Sequence, residues 1–94
     1  MKKKAVDIIK RIDEKNNGDH STESIFYHTI EEIGEISREL YNMKSGRAKI
    51  DKKNLALEIA DVYLLLAQLS ENFGIDLTKA VKDKINELER IAEQ

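Results

Sequence analysis

The chain has no cysteine, no proline and only two histidines among its 94 residues. The lack of cysteine excludes disulfides, thiolate nucleophiles and sulfur ligation of zinc or iron–sulfur clusters within the chain. Two histidines argue against a multi-histidine metal centre. Sixteen Lys and Arg against eighteen Asp and Glu give a net charge of -2. This balance removes the general attraction that a basic protein has for a phosphate backbone, so we expect no nucleic-acid partner.

Long hydrophobic segments are also missing. The longest apolar segment, from Val62 to Ala67, is far shorter than the roughly 20 residues that a membrane-spanning helix needs. Met1 and three lysines begin the sequence, but the apolar stretch of a signal peptide does not follow them. We therefore expect a soluble, cytoplasmic protein with no membrane partner.

What the sequence does contain is charge and helical periodicity. Charged residues make up 36% of it and aromatic residues 5%, which is typical of an all-helical domain. Gly46 and Gly74 each follow a periodic segment. Ser21 or a neighbour, Asp51 and Asp76 stand where helix N-caps are expected. These signals predict one all-α domain over residues 1–94, with helices at about 2–15, 22–44, 52–73 and 77–92.

The apolar residues of these predicted helices indicate an oligomer. Segments 22–44 and 77–92 each carry one apolar stripe at helical spacing. The stripes are Phe26, Ile30, Ile33, Ser37 and Leu40 in the first segment, and Leu77, Val81, Ile85, Leu88 and Ala92 in the second. Between Leu55 and Ser70, twelve of sixteen residues are apolar. A chain this small needs a second subunit to cover such a helix, which predicts a homodimer or homotetramer whose helices form a larger bundle.

Acidic residues form two sets on the two central predicted helices. They are Glu31, Glu32, Glu35 and Glu39 in segment 22–44, and Glu58 and Asp61 in segment 52–73. Spacings of three and four place the members of each set on one helix face. A charge beside buried surface costs several kcal/mol unless it is paired or binds a metal. The alternatives are a solvated face for the first set and a salt bridge to a lysine for the second.

Antiparallel packing of these two helices would bring the acidic sets together. Clustered carboxylates repel one another unless a cation neutralises them, and all-oxygen ligands favour Mg²⁺, with Mn²⁺ as a second choice. Mg²⁺ typically joins carboxylates to substrate phosphates, which indicates attack at a phosphorus centre. Lys79, Lys82, Asn86 and Arg90, opposite the apolar stripe of segment 77–92, are candidates to grip a phosphate chain. An ordinary solvated face is the alternative for these four residues.

The acidic motifs resemble those of a known family. Glu31-Glu32-Ile33-Gly34-Glu35, followed after 22 residues by Glu58-Ile59-Ala60-Asp61, resembles the EExxE...ExxD signature of the MazG-like all-alpha nucleotide pyrophosphohydrolases. The segment from Ala56 to Leu65 is similar to the third helix of that family, and Gly74-Ile-Asp-Leu77 to the turn after it. Lys82, Asn86 and Arg90 approximate its closing motif. The resemblance covers residues 26 to 90 or so.

The resemblance implies a four-helix, MazG-like bundle completed by oligomerisation. It also implies Mg²⁺-dependent hydrolysis of ribo- or deoxyribonucleoside triphosphates to the monophosphate and pyrophosphate, as nucleotide-pool housecleaning. On that pattern Glu32, Glu35, Glu58 and Asp61 would be metal ligands. Glu31 would be a further ligand or the group that orients or deprotonates the attacking water, and Glu35 would share the catalytic role. The helix 77–92 residues Lys79, Lys82, Asn86 and Arg90 would bind substrate.

Two other functions remain open from the sequence. Phosphoribosyl-ATP pyrophosphohydrolase of histidine biosynthesis has similar size and motifs, but it places a lysine before the acids, where this chain has Thr29 and Ile30. Growth of a complemented deletion strain without histidine would reveal that activity. The other alternative is a non-enzymatic helical dimerisation module whose acids are only surface. Tyr27, His28 and Tyr63 are candidates for contacting a base, and Gly34 indicates a close approach of a helix or substrate to the backbone.

Overall fold

The computed structural model describes residues 7–8, 11 and 21–94. Over residues 21–94 the chain forms three α-helices and no strand. They are α1 (Thr22–Lys44), α2 (Lys52–Asn72) and α3 (Leu77–Ala92). The all-α class is confirmed, and the predicted bounds agree with these helices except that α2 ends at Asn72, one residue earlier than predicted. Most of the helix predicted at 2–15 falls outside the described residues. Within that range the structure describes Asp7, Ile8 and Arg11, and these three are helical.

Each of the three helices begins at the predicted N-cap. The side chains of Ser21 and Asp76 each accept a hydrogen bond from the backbone N–H three residues later. Asp51 accepts two, from Lys53 and Asn54, at 3.1 Å each. Caps of this kind stabilise a helix by about 1 kcal/mol because they satisfy N–H groups that have no partner within the helix.

The helix ends are also those that the glycines predicted. Gly46 follows α1 with φ 79°, and Gly74 follows α2 with φ 65°. Both values lie in the left-handed region, which glycine enters without the steric cost that other residues meet. Both glycines therefore stand where a helix ends and a turn begins.

Helices α1 and α2 form an antiparallel pair. At one end, the side-chain amide of Asn72, the last residue of α2, donates to Thr22 Oγ1 at the start of α1 (3.5 Å). At the other end, the amide of Asn54 in the first turn of α2 donates to Glu39 Oε1 near the end of α1 (3.0 Å). The pair has the antiparallel arrangement that brings the two acidic sets together, and the short connection around Gly46 favours it.

A small core lies along this pair. Its buried apolar members among the described residues are Ile25 of α1 and Leu65 and Ala67 of α2. Buried hydroxyls within it are satisfied by the backbone of their own helix. Thr29 Oγ1 donates to the carbonyl of Ile25 at 2.8 Å, and Ser70 Oγ donates to the carbonyl of Leu66 at 2.9 Å. Burial of these two side chains therefore leaves no hydroxyl without a partner.

Much of the apolar surface stays outside this core. The stripe predicted on α1 is not the face that meets α2, because Ile25 and Thr29 occupy that face while Phe26, Ile30 and Ile33 remain about half exposed. Helix α3 has no buried residue, and its apolar residues from Val81 to Ile91 are 48–56% exposed. The described helices thus carry two apolar faces that have no partner among the described residues.

None of the helices in the part of the chain that the structure describes combines the length and the hydropathy that a bilayer crossing requires.

Candidate functional site

The acids of α1 and α2 meet at the end of the helix pair near the connecting turn. Three acids of α1 act electrostatically on Glu58 of α2. We call this group the acidic cluster; its members are Glu32, Glu35, Glu39 and Glu58. Glu32, Glu39 and Glu58 are half-buried, whereas Glu35 is exposed. The structure therefore brings together acids that lie 19 to 26 positions apart in the sequence.

Glu39 and Glu58 are joined through one amide. The Nδ2 atom of Asn54 donates to Glu39 Oε1 at 3.0 Å and to Glu58 Oε1 at 3.4 Å. Asn54 and Glu58 are one helical turn apart on α2, so both reach toward α1 from the same side. This amide links the carboxylates of the two helices without adding a positive charge.

The surroundings of Glu58 favour its neutral form. Its pKa is raised from 4.5 to about 7, first by a side-chain hydrogen bond with Glu39, next by partial burial, and then by the negative charges of Glu39, Glu35 and Glu32. A carboxyl–carboxylate hydrogen bond requires a shared proton, so it forms only while one of the two acids is protonated. When both are ionised, the same proximity becomes repulsion.

One oxygen of the cluster has no donor. Glu39 Oε2 is buried, and within the described part of the chain it has no hydrogen-bond partner. A buried carboxylate oxygen without a partner is costly, so it marks a position that a proton or a cation would stabilise. The donor set around it consists of carboxylate oxygens, which suit hard cations such as Mg²⁺. The residues of the cluster fit a divalent cation on these two counts.

A complete coordination sphere is not assembled. Among the described residues, no group of three or more His, Asp and Glu side chains is arranged to hold a metal ion. Asp61, a predicted ligand, is exposed on α2. Neither Glu58 nor Asp61 forms an ion pair with a lysine in that same part of the chain, so the salt-bridge alternative finds no support there.

His28 lies beside the cluster rather than in it. Its Nε2 atom is 3.4 Å from Glu32 Oε1, one helical turn away. His28, Tyr27 and Glu31 line an open groove of about 520 Å³ at the start of α1. The third residue predicted to contact a base, Tyr63, is exposed on α2. Of the three candidates, Tyr27 and His28 share one surface, and Glu31 faces that surface.

The predicted phosphate-binding residues of α3 lie apart from the acidic cluster. Lys79 pairs with Asp83 on its own helix (Nζ to Oδ2, 2.8 Å). Lys82, Asn86 and Arg90 are exposed. Within the described residues no hydrogen bond or ion pair joins these four to α1 or α2. The described residues therefore show no polar contact between these four side chains and the acidic cluster.

Gly34 faces open space. A Cβ atom placed on it would meet nothing within 4 Å. The close approach expected from a glycine inside a helix is thus not made by another described part of this chain. Ile30 and Ile33 beside it are half exposed, so Gly34 belongs to the uncovered surface of α1.

Sequence reasoning missed two members of this site. Glu39 belonged to the acidic row of α1 but received no role, and Asn54 was not singled out. The signal for Asn54 is its position four residues before Glu58, which places the amide and the carboxylate on one face of α2. Its contact with Glu39 follows from the register between the helices, which no local pattern encodes.

Comparisons with family models, with curated proteins and with solved structures find no match to this chain. What the chain does is therefore inferred from its own residues and their geometry.

Proposed function

We propose that this protein is a Mg²⁺-dependent nucleoside triphosphate pyrophosphohydrolase. It converts a ribo- or deoxyribonucleoside triphosphate and water to the monophosphate and pyrophosphate, as cytoplasmic nucleotide-pool housecleaning. The observation that carries the proposal is the convergence of Glu32, Glu35 and Glu39 on Glu58 across the α1–α2 pair. The resemblance of the Glu31–Glu35 and Glu58–Asp61 motifs to MazG-like enzymes supports it from the sequence.

On this proposal the acids between α1 and α2 hold the cation. Glu32, Glu35, Glu58 and Asp61 would supply carboxylate oxygens, with Mn²⁺ as an alternative to Mg²⁺. Glu39 adds a buried oxygen that has no donor in the described part of the chain. A bound Mg²⁺ neutralises phosphate charge and lowers the pKa of water.

Glu31 carries the proton transfer. It is exposed and lines the groove with Tyr27 and His28, where it is accessible to a water and to a nucleotide. In the reaction, the water oxygen bonds to the α-phosphorus as Glu31 accepts its proton, with Glu35 beside it in the catalytic group. The bond between the α-phosphorus and the bridging oxygen breaks, and pyrophosphate leaves.

The proposed enzyme is a homodimer or homotetramer whose helices complete a four-helix, MazG-like bundle. The exposed apolar stripes of α1 and α3 support this assembly, because a second copy would cover them. Assembly would also place Lys79, Lys82, Asn86 and Arg90 near an acidic cluster, where cations and an amide bind phosphates.

Product analysis tests the proposed reaction. The purified protein is incubated with Mg²⁺ and a panel of ribo- and deoxyribonucleoside triphosphates, and monophosphate, diphosphate, phosphate and pyrophosphate are resolved. We expect monophosphate and pyrophosphate in equal amounts, and neither with Glu35→Gln. Glu71→Gln, which makes the same chemical change near the far end of α2, is the matched control and should retain activity. Diphosphate and phosphate as products would contradict the proposal.

A second candidate function is a non-enzymatic helical dimerisation module. The observation that favours it is that no metal site is assembled among the described residues, while apolar helix faces are exposed. Thermal melts of wild type and Asp61→Asn with and without Mg²⁺ separate the two functions. The enzyme predicts that Mg²⁺ stabilises wild type more than the variant by mass action. The module predicts equal responses.

A further inference from the structure

We propose that Asn54 is a positioning residue of the acidic site, whose amide holds the carboxylates of Glu39 and Glu58 together for cation binding. The inference rests on the proposed function and adds to it a residue that lies outside the acidic motifs.

The hydrogen-bond geometry carries this role. Asn54 Nδ2 has two hydrogens, and it has two acceptors, Glu39 Oε1 at 3.0 Å and Glu58 Oε1 at 3.4 Å. Both bonds use the Oε1 atom of the carboxylate. The second oxygen of Glu39, Oε2, is buried and has no donor within the described residues. Asn54 thus satisfies the Oε1 atoms of both acids and leaves the buried Oε2 atom of Glu39 for a cation.

The chemistry of the amide suits this position. Two ionised carboxylates at close range repel each other, and a donor between them offsets part of that repulsion. A lysine or arginine would do so as well, but its positive charge would compete with a metal cation for the same oxygens. A neutral amide orients the ligands and leaves their negative charge in place. Groups that orient metal ligands through hydrogen bonds typically change metal affinity by about 10–100-fold when they are removed.

The backbone around Asn54 does not depend on its side chain. The N–H of Asn54 donates to Asp51 Oδ1 at 3.1 Å as part of the N-cap of α2. Alanine at position 54 retains that bond and has a higher helix propensity than asparagine. Asn54→Ala therefore removes the carboxylate contacts and leaves the helix start intact.

Asn72 offers a matched control in the same helix pair. It is also an exposed asparagine of α2, and its Nδ2 also reaches α1, at Thr22 Oγ1 (3.5 Å). It lies at the opposite end of the pair from the acids. A structural loss caused by removing an inter-helix amide is common to both variants, whereas a loss of ligand positioning is specific to Asn54→Ala.

The test is calorimetric titration of metal-free protein with Mn²⁺, together with thermal melts in EDTA. We expect Asn54→Ala to raise the Kd for Mn²⁺ by about tenfold or more, while Asn72→Ala leaves it at the wild-type value. Equal Kd values for wild type and Asn54→Ala would overturn the positioning role and leave the metal site standing. A melting temperature that falls in both variants, without a change in Kd specific to Asn54→Ala, would also overturn the positioning role. Wild type that binds no Mn²⁺ would overturn the metal site and this role with it.

Discussion

At the scale of single residues, Glu58 is the most informative position in the chain. Its sequence context shows an acid inside an apolar helix. In the structure a side-chain hydrogen bond with Glu39, partial burial and the charges of three α1 acids together raise its pKa to about 7. Partial burial disfavours the negative charge of Glu58, and the negative charges of the α1 acids disfavour it further. This is the electrostatic condition in which a cation binds with the greatest relief of repulsion.

The raised pKa predicts how stability depends on pH. Between pH 4.5 and 7 the folded state retains a proton on Glu58 that the unfolded state has released. The contribution of Glu58 to the free energy of unfolding therefore falls as pH rises through this window, and it stays low above pH 7. Urea unfolding in EDTA at pH 5 and pH 8 should show that wild type loses stability relative to Glu58→Gln at the higher pH.

The control for this prediction is Glu89→Gln, which removes the same charge from exposed α3. The difference in the free energy of unfolding between this variant and wild type should not change as pH rises through the range in which Glu58 titrates. A wild type that gains stability relative to Glu58→Gln between pH 5 and pH 8 would contradict the electrostatic description of the cluster.

At the scale of elements, the N-cap of α2 supports both the helix and the site. Asp51 caps the turn that carries Asn54, through bonds to the N–H groups of Lys53 and Asn54. Asp51→Ala should lower the free energy of unfolding by about 1 kcal/mol, because two helical N–H groups lose their acceptor. The measurement is the midpoint of urea unfolding, compared between proteins whose unfolding free energy has the same dependence on urea concentration. The control is Lys52→Ala at the neighbouring exposed residue. An unchanged midpoint for Asp51→Ala would show that the cap does not contribute to stability.

The elements also show what the sequence could predict. Helix ends were predictable because caps and glycines act locally: Asp51 and Asp76 start helices, and Gly46 and Gly74 follow helix ends. The face of α1 that meets α2 was not predictable from the sequence, because the most regular apolar stripe of α1 is the one that remains exposed. Periodicity identifies an apolar face but not its partner.

The candidate site also has a part that the sequence could predict and a part that it could not. The acids of α1 and Glu58 could be named from their spacing, and the hairpin that brings them together follows from the short connection. The contacts of Asn54 with Glu39 and Glu58 depend on the longitudinal register of the two helices. That register is set by packing of the whole pair, so no local pattern fixes it.

At the scale of the whole molecule, the main feature is the exposed apolar stripe of α3. A helix of sixteen residues with no buried side chain has little to hold it in water, because short helices depend on packing of their apolar face. The proposed second copy supplies that packing. It also supplies a reason for a glycine in the middle of α1 that faces open space within one chain.

Disruption of this stripe should dissociate the assembly. In sedimentation velocity we expect wild type to be a dimer or tetramer, and Ile85→Lys to shift it toward the monomer, because a charge in an apolar interface loses its hydration. Asp83→Asn, which changes the charge in the same direction on the polar face of α3, should leave the assembly intact. A wild type that sediments as a monomer at the concentrations used for activity would contradict the proposed assembly.

The most direct test of the central proposal is hydrolysis of a nucleoside triphosphate in ¹⁸O-labelled water with Mg²⁺, followed by mass spectrometry of both products. Attack of water at the α-phosphorus predicts one ¹⁸O in the monophosphate and none in the pyrophosphate, with no turnover by Glu58→Gln. Label in the pyrophosphate, or turnover by Glu58→Gln at the wild-type rate, would contradict a pyrophosphohydrolase built on the acids of α1 and α2.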